Sequence, residues 1–355
     1  MDNEVFLFLI PFLAVFVISL GLVGGLYYLR IMSVQKANEA ISARQASHSE
    51  PTSRLGGIAC IISMVIGSFF IDDINIYFLI VSSLPVFIAG GLEDLGYGVK
   101  ANFRLLFAIV SGFLAILLTG IWLDDVDLTI LKPMLAIVPI AVCFTAFASA
   151  GISNSINLID GVNGLSSGVI AVISGSLGFI CFSFGEILLC KLCLAVLASI
   201  MGFLIWNYPR GLVFLGDAGA YTYGHILTWI SILLISRHPE ISAWAIFCVF
   251  FWPIADTAFA ICRRLMTGRP INEPDRMHFH QLIMRCLIIY SNGRISRGLA
   301  NPLSTLMILP FCLLVALLGT VFVENNLASL LVIFCSSLIF VVSYKLLIFI
   351  ARLKR

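Results

Sequence analysis

Apolar runs of membrane-spanning length alternate with short polar breaks along this chain. Eleven stand out, at about 5–29, 56–71, 76–92, 104–122, 133–150, 165–184, 187–205, 219–236, 241–262, 303–322 and 327–350. A hydrocarbon core about 30 Å thick is crossed by about 20 apolar residues in a helix, so each run predicts a transmembrane helix, the second a short one. The first run is expected to remain a helix rather than a cleaved signal. Met1-Asp2-Asn3-Glu4 is acidic where a signal needs a basic start, and Val5 to Leu29 is too long.

The breaks fall into two kinds that take turns. One is short and acidic: Asp72-Asp73, Asp124-Asp125-Val126-Asp127, Glu186, Glu240 and Glu324. The other is longer and basic, with Arg30, Lys36, Arg44 and Arg54, then Lys100 and Arg104, then Arg210, then seven arginines from Arg263 to Arg297. Basic loops stay on the cytoplasmic side. The expected architecture is therefore an all-α polytopic integral membrane protein with about eleven transmembrane helices, N-terminus outside and C-terminus cytoplasmic. It reads as one domain, 1–355, with cytoplasmic loops at about 30–55, 93–104, 151–164, 206–218 and 263–301.

Composition strengthens this reading. Of 355 residues, 60% are hydrophobic and only 11% charged, against about 25% charged in a soluble domain, and mean hydropathy is +1.07. A net charge of +2 supplies no basic field, so no nucleic-acid partner is expected. Most of the ten cysteines lie inside apolar runs and read as small hydrophobes. The Cys190/Cys193 pair lacks the second pair that a zinc site needs.

The basic loops also hold nearly all residues with chemical potential. Around His48, Thr52, Ser53 and Arg54, donors precede Gly56-Gly57 and a helix start, an arrangement suited to an anion. Glu93-Asp94, followed by Lys100 and Arg104, puts two carboxylates at a helix end, where they oppose the dipole and suit Mg²⁺ and phosphate chemistry. Asn157, Asp160 and Asn163 recur at steps of three, so a helical turn would align them. Asn207 precedes Phe214-Leu215-Gly216-Asp217, with the acid between glycines at the mouth of an apolar helix; a simple N-cap is the plainer alternative. The last loop carries Asp275-Arg276-Met277-His278-Phe279-His280-Gln281, better suited to diphosphate oxygens than to zinc. His225 and Asp256 lie within apolar runs, where an ionisable side chain is a functional candidate by default. A neighbouring helix could satisfy His225, Asp256 follows a kink at Trp252-Pro253, and neither is taken as catalytic.

Five such segments in this order resemble the polyprenyl-phosphate N-acetylhexosamine-1-phosphate transferases, which initiate O-antigen and enterobacterial common antigen synthesis and include the phospho-MurNAc-pentapeptide translocases. The resemblance runs from Arg44 to Gln281. It implies that Glu93 and Asp94 stand at an Asp-Asp pair and that Asp217 binds Mg²⁺ (Mn²⁺ being the alternative), with help from Asn157. Asp160, Asn163, Asn207, Phe214 and Gly216 fall on the nucleotide side, and Arg276, His278 and His280 on the diphosphate. His48, Arg54 and Lys100 are left for the lipid phosphate. Glu93, Asn163 and Gln281 depart from the family's Asp, Asp and His, while Asp94, Asp160 and Asp217 are kept.

The implied reaction transfers an N-acetylhexosamine-1-phosphate from a UDP-sugar donor to undecaprenyl (polyprenyl) phosphate, releasing UMP and initiating cell-surface polysaccharide synthesis, at the cytoplasmic face of the bacterial inner membrane, with a homodimer as a plausible assembly. Asp94 would keep the attacking phosphate deprotonated. The rivals are a peptidoglycan-type phospho-MurNAc-pentapeptide transferase, an idle lipid or nucleotide binder, and a secondary transporter. A transporter would place its ionisable residues near the bilayer midplane in repeated broken helices.

Overall fold

The computed structural model describes residues 2–29, 52–71, 73–268 and 277–353. Within them the fold is helical, with one isolated parallel bridge between Ser53 and Val213. In chain order the helices are α1 (Asp2–Tyr28), α2 (Gly56–Ser68), α3 (Ile74–Ser82), α4 (Leu84–Asp94), α5 (Ala101–Thr119), α6 (Lys132–Leu135), α7 (Val138–Leu158) and α8 (Leu165–Ser183). There follow α9 (Ile187–Asn207), α10 (Gly216–Arg237), α11 (Ala243–Val249), α12 (Phe251–Met266), α13 (Phe279–Tyr290), α14 (Arg297–Val321) and α15 (Asn326–Leu353).

Every apolar run is found as helical, three of them divided between two helices (α3 and α4, α6 and α7, α11 and α12), but not all of them qualify as spans. Among the described residues, nine segments are long and apolar enough to cross a membrane, with α3 and α4 forming one of them, Ile74–Asp94. The α11–α12 pair, bent by 86°, is a tenth if counted as one span. Its second helix restarts just before Pro253, which has no N–H to donate backwards, so the expected kink is a full break. Helix α2 has 13 residues and rises only about 20 Å, less than the bilayer core.

The 263–301 segment is not simply a loop, because it contains α13. This helix is one-sided, turning Leu282, Ile283 and Cys286 inward, and at 12 residues it is too short to stand out as an apolar run.

Helix α10 is the axis of the bundle. Every residue from Gly216 to Leu234 is buried, and α10 packs against α2, α4, α7 and α8. His225 within it meets Ser82 of α3 at 3.0 Å, the neighbouring-helix contact that the sequence leaves open. The acidic breaks serve architecture at the opposite end from the site. Asp127 accepts from Ala243 N–H at 2.7 Å and from Asn326 Nδ2 at 3.1 Å, joining α11 to α15. Arg237 pairs with Glu186 at 2.7 Å.

Candidate active site

The site begins with backbone. Residues 53–57 run alongside 213–215: Phe214 N–H donates to Ser53 O at 2.8 Å, Gly56 N–H to Phe214 O at 3.1 Å, and Gly57 N–H to Leu215 O at 2.8 Å. Glycine makes this approach feasible, since a Cβ on Gly57 would collide with Leu215 O and the Gly219 backbone. The zipper delivers Arg54 to the first turn of α10. There Arg54 Nη2 stands 3.4 Å from Asp217 Oδ1, and its Nε 3.8 Å from Asp94 Oδ1. Arg104, from the first turn of α5, pairs directly with Asp217 Oδ2.

Asp94 is fully buried at the C-terminal end of α4. Its carboxylate accepts from Asp217 N–H at 3.0 Å and Ala218 N–H at 2.8 Å. A carboxylate on the open amides of a helix N-terminus satisfies orphan donors and complements the dipole. Each Asp94 oxygen thus holds a backbone amide, which gives Asp94 a positioning role at the first turn of α10. Asp217 is not the simple N-cap of its own helix: Asp94 supplies that cap from another helix. Glycine is also required at 216, where φ is +72° and a Cβ would fall 2.6 Å from Asp94 Oδ2. Glu93 is half-buried and, with Arg104, lies within electrostatic reach of the Tyr221 hydroxyl, which donates to Asn154 Oδ1 at 2.7 Å.

Asp160 lies in the turn between α7 and α8, close to Arg54 and the Gly216 amide. Burial pushes its carboxyl up to about 6, with Arg54 and the Gly216 N–H pulling the other way. Asn157, in the last turn of α7, is half-buried and gives its carbonyl to Asp160 N–H at 3.1 Å. Lys100 is exposed just ahead of α5. His48 and Arg276 lie outside the described residues.

Asn163 and Asn207 are stitched into backbone. Asn163 Nδ2 donates to Pro209 O at 2.8 Å, a bond that the family's aspartate could not donate. Asn207 accepts from Gly164 N–H at 2.6 Å and donates to Val213 O at 2.8 Å. Phe214 is half-buried, its main chain held in the zipper.

The histidines arrive with α13. His278 Nδ1 meets Asp256 Oδ2 at 2.8 Å, and Phe279 N–H donates to Asp256 Oδ1 at 3.0 Å, so Asp256 both orients His278 and caps α13. The His278 and His280 rings are near-parallel, 5.8 Å apart. A Cβ on Gly161 would come within 2.5 Å of His280 Nε2, which brings the histidine segment up to the Asp160 turn. Burial drives the His280 imidazole down to about 4, Asp256 partly opposing and His278 adding to the effect.

All five segments thus have members at one end of the bundle. The sequence reading missed Arg104 and Asp256 as site members. The signals were present, Arg104 one turn after Lys100 and Asp256 as a carboxylate inside an apolar run.

Among the described residues no three His, Cys, Asp or Glu side chains form a ready metal cage. The donor chemistry still suits a hard cation. Mg²⁺ takes one or two carboxylates and completes its shell with substrate phosphates and water. Asp217 and the turn of Asp160 offer such carboxylates.

Residues 55–235 match the profile of Glycosyl transferase family 4. The chain is 30% identical over 241 residues to a probable undecaprenyl-phosphate N-acetylglucosaminyl 1-phosphate transferase of Bacillus subtilis (strain 168), covering 67% of each chain. It is 27% identical over 235 residues to the undecaprenyl-phosphate alpha-N-acetylglucosaminyl 1-phosphate transferase of Escherichia coli (strain K12), covering 63% of this chain and 64% of that one. Similarity extends to a phospho-N-acetylmuramoyl-pentapeptide-transferase of Lactiplantibacillus plantarum, 28% over 187 residues, 52% of this chain and 56% of that one. The matched segments therefore span between 56% and 67% of these relatives' own lengths. With just over half its length inside that profile and its helices built for lipid, the chain is a multi-pass membrane member of glycosyl transferase family 4.

Proposed function

We propose that the protein transfers an N-acetylhexosamine-1-phosphate from a UDP-sugar to undecaprenyl phosphate, releasing UMP, at the cytoplasmic face of the bacterial inner membrane. The observation that carries this reading is the meeting of Arg54, Arg104 and Asp217 with the Asp160 turn and His280 at one end of an apolar bundle. Cations and acids together suit a charged diphosphate, and the surrounding lipid suits a polyprenyl chain. The relatives' names support undecaprenyl phosphate as acceptor and N-acetylglucosamine-1-phosphate as the group moved.

In this reading a lipid-phosphate oxygen attacks the β-phosphorus. A new P–O bond forms, the bond to the bridging oxygen of the α-phosphate breaks, and UMP leaves with that oxygen. Phosphoryl transfer draws most of its acceleration from positioning and charge neutralisation. Arg54 and Arg104 supply fixed positive charge, and His278, oriented by Asp256, faces the diphosphate beside His280. Asp94 holds the first turn of α10 and hence Asp217. Mg²⁺, or Mn²⁺, would be held by Asp217 with Asn157 and, when bound, supplies charge neutralisation on the diphosphate.

The test is UMP release from a panel of UDP-N-acetylhexosamines with undecaprenyl phosphate, with and without Mg²⁺. Lipid- and metal-dependent release from one donor is expected. Release only from the muramoyl-pentapeptide donor would favour the second reading, that of a peptidoglycan precursor transferase, which the Lactiplantibacillus relative supports. Silence with every donor, from folded protein in lipid, would remove the transferase reading.

A further inference from the structure

The family match ends at residue 235, yet the turn that carries Asp160 is gripped from beyond it. Helix α14 holds the main chain of Asn163 on both sides. Asn163 N–H donates to Asn301 Oδ1 at 2.7 Å, and Asn163 O accepts from Thr305 Oγ1 at 2.6 Å. Asn301 and Thr305 are four residues apart, hence neighbours on one helix face, and both are buried.

The same turn is tied to the 207–211 segment through Asn163 Nδ2 to Pro209 O and Gly164 N–H to Asn207 Oδ1. Its other end presents Asp160 to Arg54 and Gly161 to His280. A shift of Asn163 is therefore a shift of the surface between Arg54 and the histidines. Asn163 Oδ1 and Asn301 Nδ2 are also buried without a hydrogen-bond partner among the described residues.

We propose that Asn301 and Thr305 are positioning residues for the nucleotide-diphosphate donor. They hold the 160–164 turn in register with Asp217 and His280, so that α14 sets donor affinity while leaving the lipid acceptor untouched. This rests on the transferase reading above.

The test uses the full chain in lipid nanodiscs with four variants. Thr305→Val and Asn301→Leu remove the hydroxyl donor and the amide acceptor, while Thr305→Ser and Asn301→Asp keep them. Calorimetry with UDP, KM for the UDP-sugar, KM for undecaprenyl phosphate, kcat and thermal unfolding are read on each. Thr305→Val and Asn301→Leu are expected to raise the UDP Kd and donor KM roughly tenfold, the weight of one hydrogen bond. Lipid KM should hold, and the two conservative variants should stay near wild type. Unchanged UDP binding in Thr305→Val and Asn301→Leu, with wild type binding normally, overturns this proposal alone. So does a parallel rise in both KM values with a fallen unfolding temperature, which marks a structural role only. A wild type that binds no UDP overturns the transferase reading and this inference with it.

Discussion

Asp94 fixes Asp217 through the backbone: the carboxylate that ends α4 accepts the amide N–H of Asp217 at 3.0 Å and of Ala218 at 2.8 Å. Two acids adjacent in space thus have separate tasks, one holding a helix and the other facing Arg54 and Arg104. Replacing Asp94 by Asn turns one acceptor into a donor aimed at an amide. Asp94→Asn is expected to cost about 1–3 kcal/mol of stability and to lower turnover, whereas Asp217→Asn should abolish turnover with a smaller loss of stability. Thermal unfolding and UMP release on the pair separate the roles; equal stability losses would refute the division.

Gly90 and Gly91 are neighbours in α4 with opposite surroundings. A Cβ at Gly90 would lie 2.7 Å from Ala218 N, while at Gly91 its nearest neighbour is Ile58 Cδ1 at 4.0 Å. Gly90→Ala is expected to destabilise by about 1–3 kcal/mol through overpacking on backbone. Gly91→Ala should be neutral or stabilising by up to about 1 kcal/mol through helix propensity. Unfolding midpoints of the two variants decide it.

His280 gives the fold an acid limb. Its folded pKa of about 4 lies below the ordinary histidine value of about 6.5, so the unfolded chain takes up the proton first. Stability from this residue is complete above pH 6.5, falls as pH drops towards 4, and is lost by roughly 3 kcal/mol across that window. Unfolding temperatures between pH 7 and 4.5 should decline less steeply in His280→Gln than in wild type.

Asp256 and His278 should behave as one unit, given their 2.8 Å bond. Asp256→Ala and His278→Ala are expected to reduce turnover by similar factors. The double variant should be little worse than either, since residues acting together are not additive. Multiplying defects would show that they act separately.

What could be read from the chain depended on range. Apolar runs and charge alternation are local, so the helices and the ends they share were legible. The chemical segments were legible too, because Arg54, Asp94, Asp160, Asp217 and His278 stand out as polar residues at the ends of apolar runs. The wiring was not. Nothing in the neighbourhood of Asp94 says that its carboxylate caps a helix 123 residues on, nor does Asn163 announce a partner 138 residues away. Fewer segments than apolar runs qualify as spans among the described residues because α2 is apolar but too short and the α11–α12 run is bent by 86° at its middle, matters of helix length and breakage that hydropathy alone blurs. Helix α13 was hidden because it is short as well and its apolar residues are confined to one face.

Helix α10 touches almost no lipid along its length, with Gly216 to Leu234 all enclosed by protein. Its composition is therefore under a different rule from that of α1 or α15, whose outer faces meet lipid. On those two, one aliphatic side chain can replace another with little consequence, so their sequences are free to drift. On α10 each position is shaped by a specific neighbour, and variation must be compensated by a partner on α2, α4, α7 or α8.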